Sequence, residues 1–85
     1  MLVKIKTNFA GEVVYEMASP TLKKVLIELS DKVSFPICSL EDEKVQGDFK
    51  VYLNGIEYEN LTSGINAPLK EEDKVEVAMV ILAGG

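Results

Sequence analysis

Lys74-Val75-Glu76-Val77-Ala78-Met79-Val80-Ile81-Leu82-Ala83-Gly84-Gly85 changes character twice in twelve residues. Val75 and Val77 alternate with Lys74 and Glu76, the period of a strand with one face on a core. From Ala78 to Leu82 the run is apolar on both faces, then Ala83-Gly84-Gly85 sheds side-chain bulk. A strand over 74 to about 82 that grows more apolar along its length belongs at the centre of a sheet, where burial is greatest. The rest of the chain must supply its neighbours and its cover.

The upstream pattern does so. Leu2 to Asn8 alternates, with Val3 and Ile5 opposite Lys4 and Lys6, and reads as a half-buried strand. Phe9-Ala10-Gly11 turns the chain, and Glu12 to Met17 returns as a second strand, most simply in a tight hairpin with the first. Ser19-Pro20 is expected to open a helix, serine capping free N–H groups and proline occupying the first helical position. Leu22, Val25, Leu26 and Leu29 then form an apolar stripe at helical spacing, with Lys23, Lys24 and Glu28 opposite, to about Asp31. Val33 to Asp48, broken by Pro36 and carrying the solvated run Glu41-Asp42-Glu43-Lys44, is read as an irregular connection. Phe49, Val51 and Leu53 mark a third strand, Asn54-Gly55 a hairpin turn, and Ile56 to Tyr58 a short fourth strand. Residues 59–73 read as a polar stretch leading into the last strand.

Strand, strand, helix, strand, strand, strand implies a right-handed crossover that lays the helix on one sheet face, with the last strand parallel to the first. The expected fold is α+β: a β-grasp, or ubiquitin-like, roll with a mixed sheet of four to five strands and one main helix on one face. Residues 1–82 form a single domain and 83–85 an extended Ala-Gly-Gly tail.

Composition narrows the chemistry. All nine cationic side chains are lysines against 14 acids, for a net charge of −5. That balance argues against a nucleic-acid footprint, which needs clustered cations to displace counterions. There is no histidine and a single cysteine, so the usual general base, a common metal ligand, an iron–sulfur or structural zinc site and an internal disulfide are missing. No apolar run reaches the ~18 residues that span a bilayer, and Met1-Leu2-Val3-Lys4 lacks a signal-peptide order. The expectation is a cytoplasmic chain, away from membranes, that is not catalytic alone.

The tail is where chemistry is expected. Extended, Leu82 to Gly85 reaches ~13–14 Å, enough to enter a partner's cleft. Glycine has no Cβ, so Gly84 and Gly85 pass a narrow channel and leave the last carbonyl open to attack. A carboxylate is a poor acyl donor, but adenylation makes AMP the leaving group, and sulfide transfer then yields a thiocarboxylate. Two terminal glycines arise by chance about once in two hundred chains at ordinary glycine usage; the preceding strand order and Leu82-Ala83 lead-in raise their weight.

Val51-Tyr52-Leu53-Asn54-Gly55, then Asn66-Ala67-Pro68-Leu69-Lys70-Glu71-Glu72-Asp73-Lys74-Val75-Glu76-Val77, then Ala83-Gly84-Gly85 resembles the C-terminal half of the molybdopterin synthase small subunit, among the ubiquitin-like sulfur carriers. The chain departs from that pattern where relatives have a turn glycine, here Glu72, and paired prolines before the tail, here Val80 and Ile81. The resemblance implies that Gly85 is adenylated by a ubiquitin-activating-type enzyme, with ATP used there and no cofactor or metal bound by this chain. A sulfurtransferase would supply the sulfur, and the large synthase subunit would receive the tail. In that carry-over Gly85 bears the reacting carbonyl, Gly84 the narrow neck, and Ala83 with Leu82 the start of the docking tail. A thiamine-pathway or tRNA-thiolation carrier, or a ubiquitin-like protein modifier, shares the same layout.

Two secondary features complete the reading. Strand alternation puts Tyr52, Ala78, Val80 and Leu82 on the sheet face away from the helix, a contact patch for the adenylating enzyme unless the 59–70 loop covers it. Cys38, with no histidine to activate it, is expected to be a small buried hydrophobe or an inert loop thiol.

Overall fold

The computed structural model describes residues 1–39, 41 and 44–80. Its main sheet has five strands: β1 (Leu2–Thr7), β2 (Glu12–Glu16), β5 (Phe49–Leu53), β6 (Ile56–Glu57) and β7 (Lys74–Met79), in the spatial order β2-β1-β7-β5-β6. β7 is central, parallel to β1 (Ile5↔Val75, Thr7↔Val77) and antiparallel to β5 (Val51↔Val77, Phe49↔Met79). The hairpins are as read: β1 with β2, and β5 with β6. Asn54 and Gly55 both sit at positive φ (52° and 83°), which a tight two-residue turn requires.

Helix α1 (Leu22–Val33) lies on one face, and its stripe of Leu22, Val25, Leu26 and Leu29 is wholly buried. Val3, Ile5, Val13, Phe49, Val51, Leu53, Val75 and Val77 complete that core from the sheet side. One-sided burial of a helix on a sheet is what makes the 3.6-residue period visible in sequence.

Three local readings are corrected. The helix is capped by Thr21, whose hydroxyl accepts from the Lys24 N–H at 3.3 Å, and not by Ser19. The cause is tertiary: Pro20 O accepts from Leu69 N, and Thr21 bridges Pro68, so residues 20–21 are committed to an extended pairing before the helix begins. The 33–48 connection is less irregular than expected. It holds a two-stranded ribbon, β3 (Cys38–Ser39) with β4 (Lys44–Val45), tied to the helix end by Ile37 N donating to Ser30 Oγ. Pairs this short leave no period to read. Finally, residues 59–73 are not simply a polar turn. They form two 3-10 turns, Tyr58–Asn60 and Gly64–Asn66, and bury Ile65, Ala67 and Leu69.

Candidate functional site

The expected tail residues Leu82, Ala83, Gly84 and Gly85 lie outside the described residues, so the site is built here from the strand that leads to them. Pairing with β1 ends at Thr7↔Val77, because the chain turns away at Asn8-Phe9-Ala10 to form the hairpin. β7 outruns its parallel neighbour at this point, and the Asn8 side chain replaces the missing backbone. Asn8 Oδ1 accepts from Met79 N at 2.7 Å, and Nδ2 donates to Met79 O at 3.0 Å. A primary amide carries the same donor and acceptor pair as a peptide group, and these two partners fix which way round it sits. On the other flank Phe49 pairs with Met79, and Asp48 O accepts from Val80 N at 2.7 Å. Met79 is therefore held on the β1 side by Asn8 and Val80 on the β5 side by Asp48.

Asn8 is held in turn. Thr7 Oγ1 donates to Gly11 O and accepts from Ala10 N, both at 2.7 Å, which locks the bend. Phe9 packs edge-on against Phe49 with ring centroids 5.5 Å apart, and Phe35 meets the same ring at 5.6 Å. These contacts seat the bend on the core below it.

The start of β7 is fastened by a second asparagine. Asn54 Oδ1 accepts from Lys74 N at 2.9 Å, and Nδ2 donates to Asp73 Oδ1 at 3.1 Å. The other Asp73 oxygen accepts from Lys70 N at 2.7 Å, and Asn54 N donates to Lys74 O. Glu72, in the position where the resembled family has glycine, adopts φ +70°, a left-handed conformation that glycine enters more easily.

Tyr52, Ala78 and Val80 share the open sheet face and are each half-buried. They do not form an unbroken apolar surface: Lys50 is opposite Ala78, and Glu76 is opposite Tyr52. Leu2 and Val14 are exposed on the same face, at its β1–β2 side. The 59–70 loop binds the Pro20–Leu22 backbone at the helix start through Leu22 N to Ala67 O and Leu69 N to Pro20 O, and so serves the helix-side core. Cys38 is buried, and burial pushes its thiol above the usual range, with Lys23 pulling weakly the other way. It is a poor nucleophile at neutral pH. Met17 and Met79 pack against the core as fillers. Among the described residues no cluster of three or more His, Cys, Asp or Glu is placed to hold a metal ion, and no helix is long and apolar enough to cross a membrane.

Sequence reasoning missed Asn8 and Asp48 altogether and read Asn54 as a turn residue only. Nothing in local spacing announces that a side chain at position 8 meets the backbone at position 79.

With this geometry described, comparison with known proteins bears on the fold. No protein-family model matches the chain, and no curated protein matches it. The crystal structure of SAMP1 from Haloferax volcanii superposes with a TM-score of 0.71, covering 100% of both chains at 12% sequence identity. The chain therefore has the β-grasp fold, with its central strand fastened at both ends by asparagine side chains.

Proposed function

We propose that this domain is a sulfur carrier of the molybdopterin synthase small-subunit type, and that its reacting atom is the terminal carbon of Gly85. The observation that carries the reading is the sequence Ala83-Gly84-Gly85 following the central strand of a β-grasp. The Gly85 carboxylate attacks the α-phosphorus of ATP on a ubiquitin-activating-type enzyme, and pyrophosphate leaves. A persulfide sulfur on a sulfurtransferase cysteine then attacks the acyl carbon, and a second thiol reduces the acyl disulfide that results, itself ending in a disulfide. The C–S bond forms, the bond to AMP breaks, and a thiocarboxylate remains. Entering the large synthase subunit, that group gives its sulfur to the pterin precursor of the molybdenum or tungsten cofactor, and water cleaves the acyl–sulfur bond and supplies the oxygen of the regenerated carboxylate. This chain contributes an unhindered acyl end, Leu82 and Ala83 as the docking segment, and the Tyr52, Ala78 and Val80 face as a contact for the activating enzyme. It binds no cofactor or metal of its own, and catalysis resides in its partners.

The test is intact-mass analysis after incubation with ATP, the host's adenylating enzyme, a sulfurtransferase and cysteine. A gain of sulfur for oxygen on the C-terminal residue supports the reading, and an unchanged carboxylate overturns it. Co-purification of a molybdopterin synthase large subunit, rather than a thiazole synthase or a tRNA-thiolating enzyme, identifies the acceptor.

A second reading is a ubiquitin-like protein modifier, in which activated Gly85 is joined to lysines of other proteins. Val80 and Ile81 stand where the synthase small subunit has its paired prolines, a departure that bears on which pathway is served more than on the diglycine chemistry both readings share. Diglycine remnants on host proteins after proteolysis, without a thiocarboxylate, would decide for it.

A further inference from the structure

We propose that the outer edge of β2 takes an extended segment of a partner protein as an added strand, and that this segment presents basic, apolar and basic side chains at alternate positions. The inference does not depend on the carrier reading. β2 ends the sheet, with no outer neighbour among the described residues. At the opposite edge β6 has two residues, too few to template a strand, whereas β2 has five.

The register shows which β2 backbone groups are open. Met1 and Met17 exchange two bonds of 2.9 Å, and Thr7 N donates to Gly11 O at 3.0 Å. Bonded pairs in an antiparallel ladder recur every second residue, so Val3 with Tyr15 and Ile5 with Val13 are the bonded pairs between them. Glu12, Val14 and Glu16 therefore turn their N–H and C=O groups outward. Their side chains share the face away from the helix, and all three are exposed. In an added antiparallel strand, the residue opposite each of them projects on that same face. An edge of Glu12, Val14 and Glu16 thus calls for lysine or arginine, then valine or isoleucine, then lysine or arginine, at every second position.

The surroundings favour the same occupant. On the helix side the Tyr15 hydroxyl donates to Glu28 O at 3.2 Å. Burial, and after it the carboxylates of Glu28 and Asp31, push that phenol above its usual range. Acids therefore flank the edge on both faces, while Lys4 and Lys6 lie one strand further in, opposite Val14 and Glu12. A second copy of the chain is a poor occupant. Antiparallel pairing centred on Val14 would set each Glu12 against the other copy's Glu16, and like charges directly opposite destabilise a sheet.

The experiment titrates the full chain with the capped peptide Thr-Lys-Thr-Val-Thr-Lys-Thr, up to millimolar concentration, and with its counterpart bearing glutamate for both lysines. Amide hydrogen exchange is followed residue by residue. The lysine peptide is expected to slow exchange at Val14 and Glu16 about tenfold, and to leave Val13 and Tyr15, already bonded to β1, within about twofold. Glu12→Gln with Glu16→Gln keeps the side-chain shapes and weakens binding about tenfold. Val14→Pro removes one outward donor without touching the β1 ladder and abolishes binding; if that variant fails to fold, the glutamine variant decides. Unchanged exchange with the lysine peptide overturns the inference. So does equal binding of the glutamate peptide, or equal slowing at all β2 amides, which would report general stabilisation instead of an added strand. Protection of Val14 and Glu16 that grows with protein concentration in the absence of peptide also overturns it, since a second copy would then be the occupant.

Discussion

The two ends of β7 are fastened by the same chemistry to different extents. At its start, Asn54 bonds Lys74 and Asp73, Asp73 bonds Lys70, and both flanking strands are still paired. At its end, β1 has gone and β5 contributes its last pair, so Asn8 and Asp48 carry what remains. Many overlapping constraints at the start close the domain. The few at the end hold only Met79 and Val80. An asparagine amide can thus act as a piece of surrogate strand wherever a sheet neighbour runs out.

The largest expected effect separates the ends most sharply. Deleting Gly84 and Gly85 abolishes thiocarboxylation in the mass assay while the thermal midpoint stays where it was, since neither residue contributes side-chain burial. Next comes the core beneath the strand. Val75 at the start is fully buried and Met79 at the end only partly so. Val75→Ala is expected to cost about 2–3 kcal/mol by urea unfolding and Met79→Ala about 1 kcal/mol. If the two costs were equal, the end would be as much a part of the core as the start. Asn54→Ala removes the acceptor for Lys74 N and forces alanine to φ +52°, for an expected loss of about 1–2 kcal/mol. Asn8→Ala, by contrast, changes global stability by about 0.5 kcal/mol or less, because the groups it exposes are already near water. The smallest effect is a gain: Glu72→Gly relieves a left-handed backbone at the turn before β7 and is expected to raise stability by about 0.5–1 kcal/mol.

Some of this was open to a reader of the sequence. Leu22, Val25, Leu26 and Leu29 announced a one-sided helix because burial on a flat sheet repeats every turn. Val75 and Val77 announced a half-buried strand because the pleat repeats every second residue. Asn54-Gly55 announced its turn because few residue pairs accept two positive φ values in succession. Other features escaped for equally physical reasons. Ile65, Ala67 and Leu69 are buried from 3-10 and irregular backbone, which has no fixed face, so their polar neighbours disguised them. Thr21 displaced Ser19 as helix cap because a distant segment, 67–69, had already claimed the backbone between them.

By itself, then, the amino-acid sequence determined the order of the main-sheet strands and the helix, the helix stripe, the hairpin turns, the central and parallel place of the last strand, and the diglycine on which the proposed chemistry depends. Each is written in short-range spacing or in residue type. Only the tertiary structure decided that Asn8 meets Met79, that Asp48 meets Val80, that the 59–73 segment enters the core, and that charged side chains interrupt the open face beside Tyr52 and Ala78. Those depend on where chain segments far apart in sequence come to lie once the core has closed, and no local period records that.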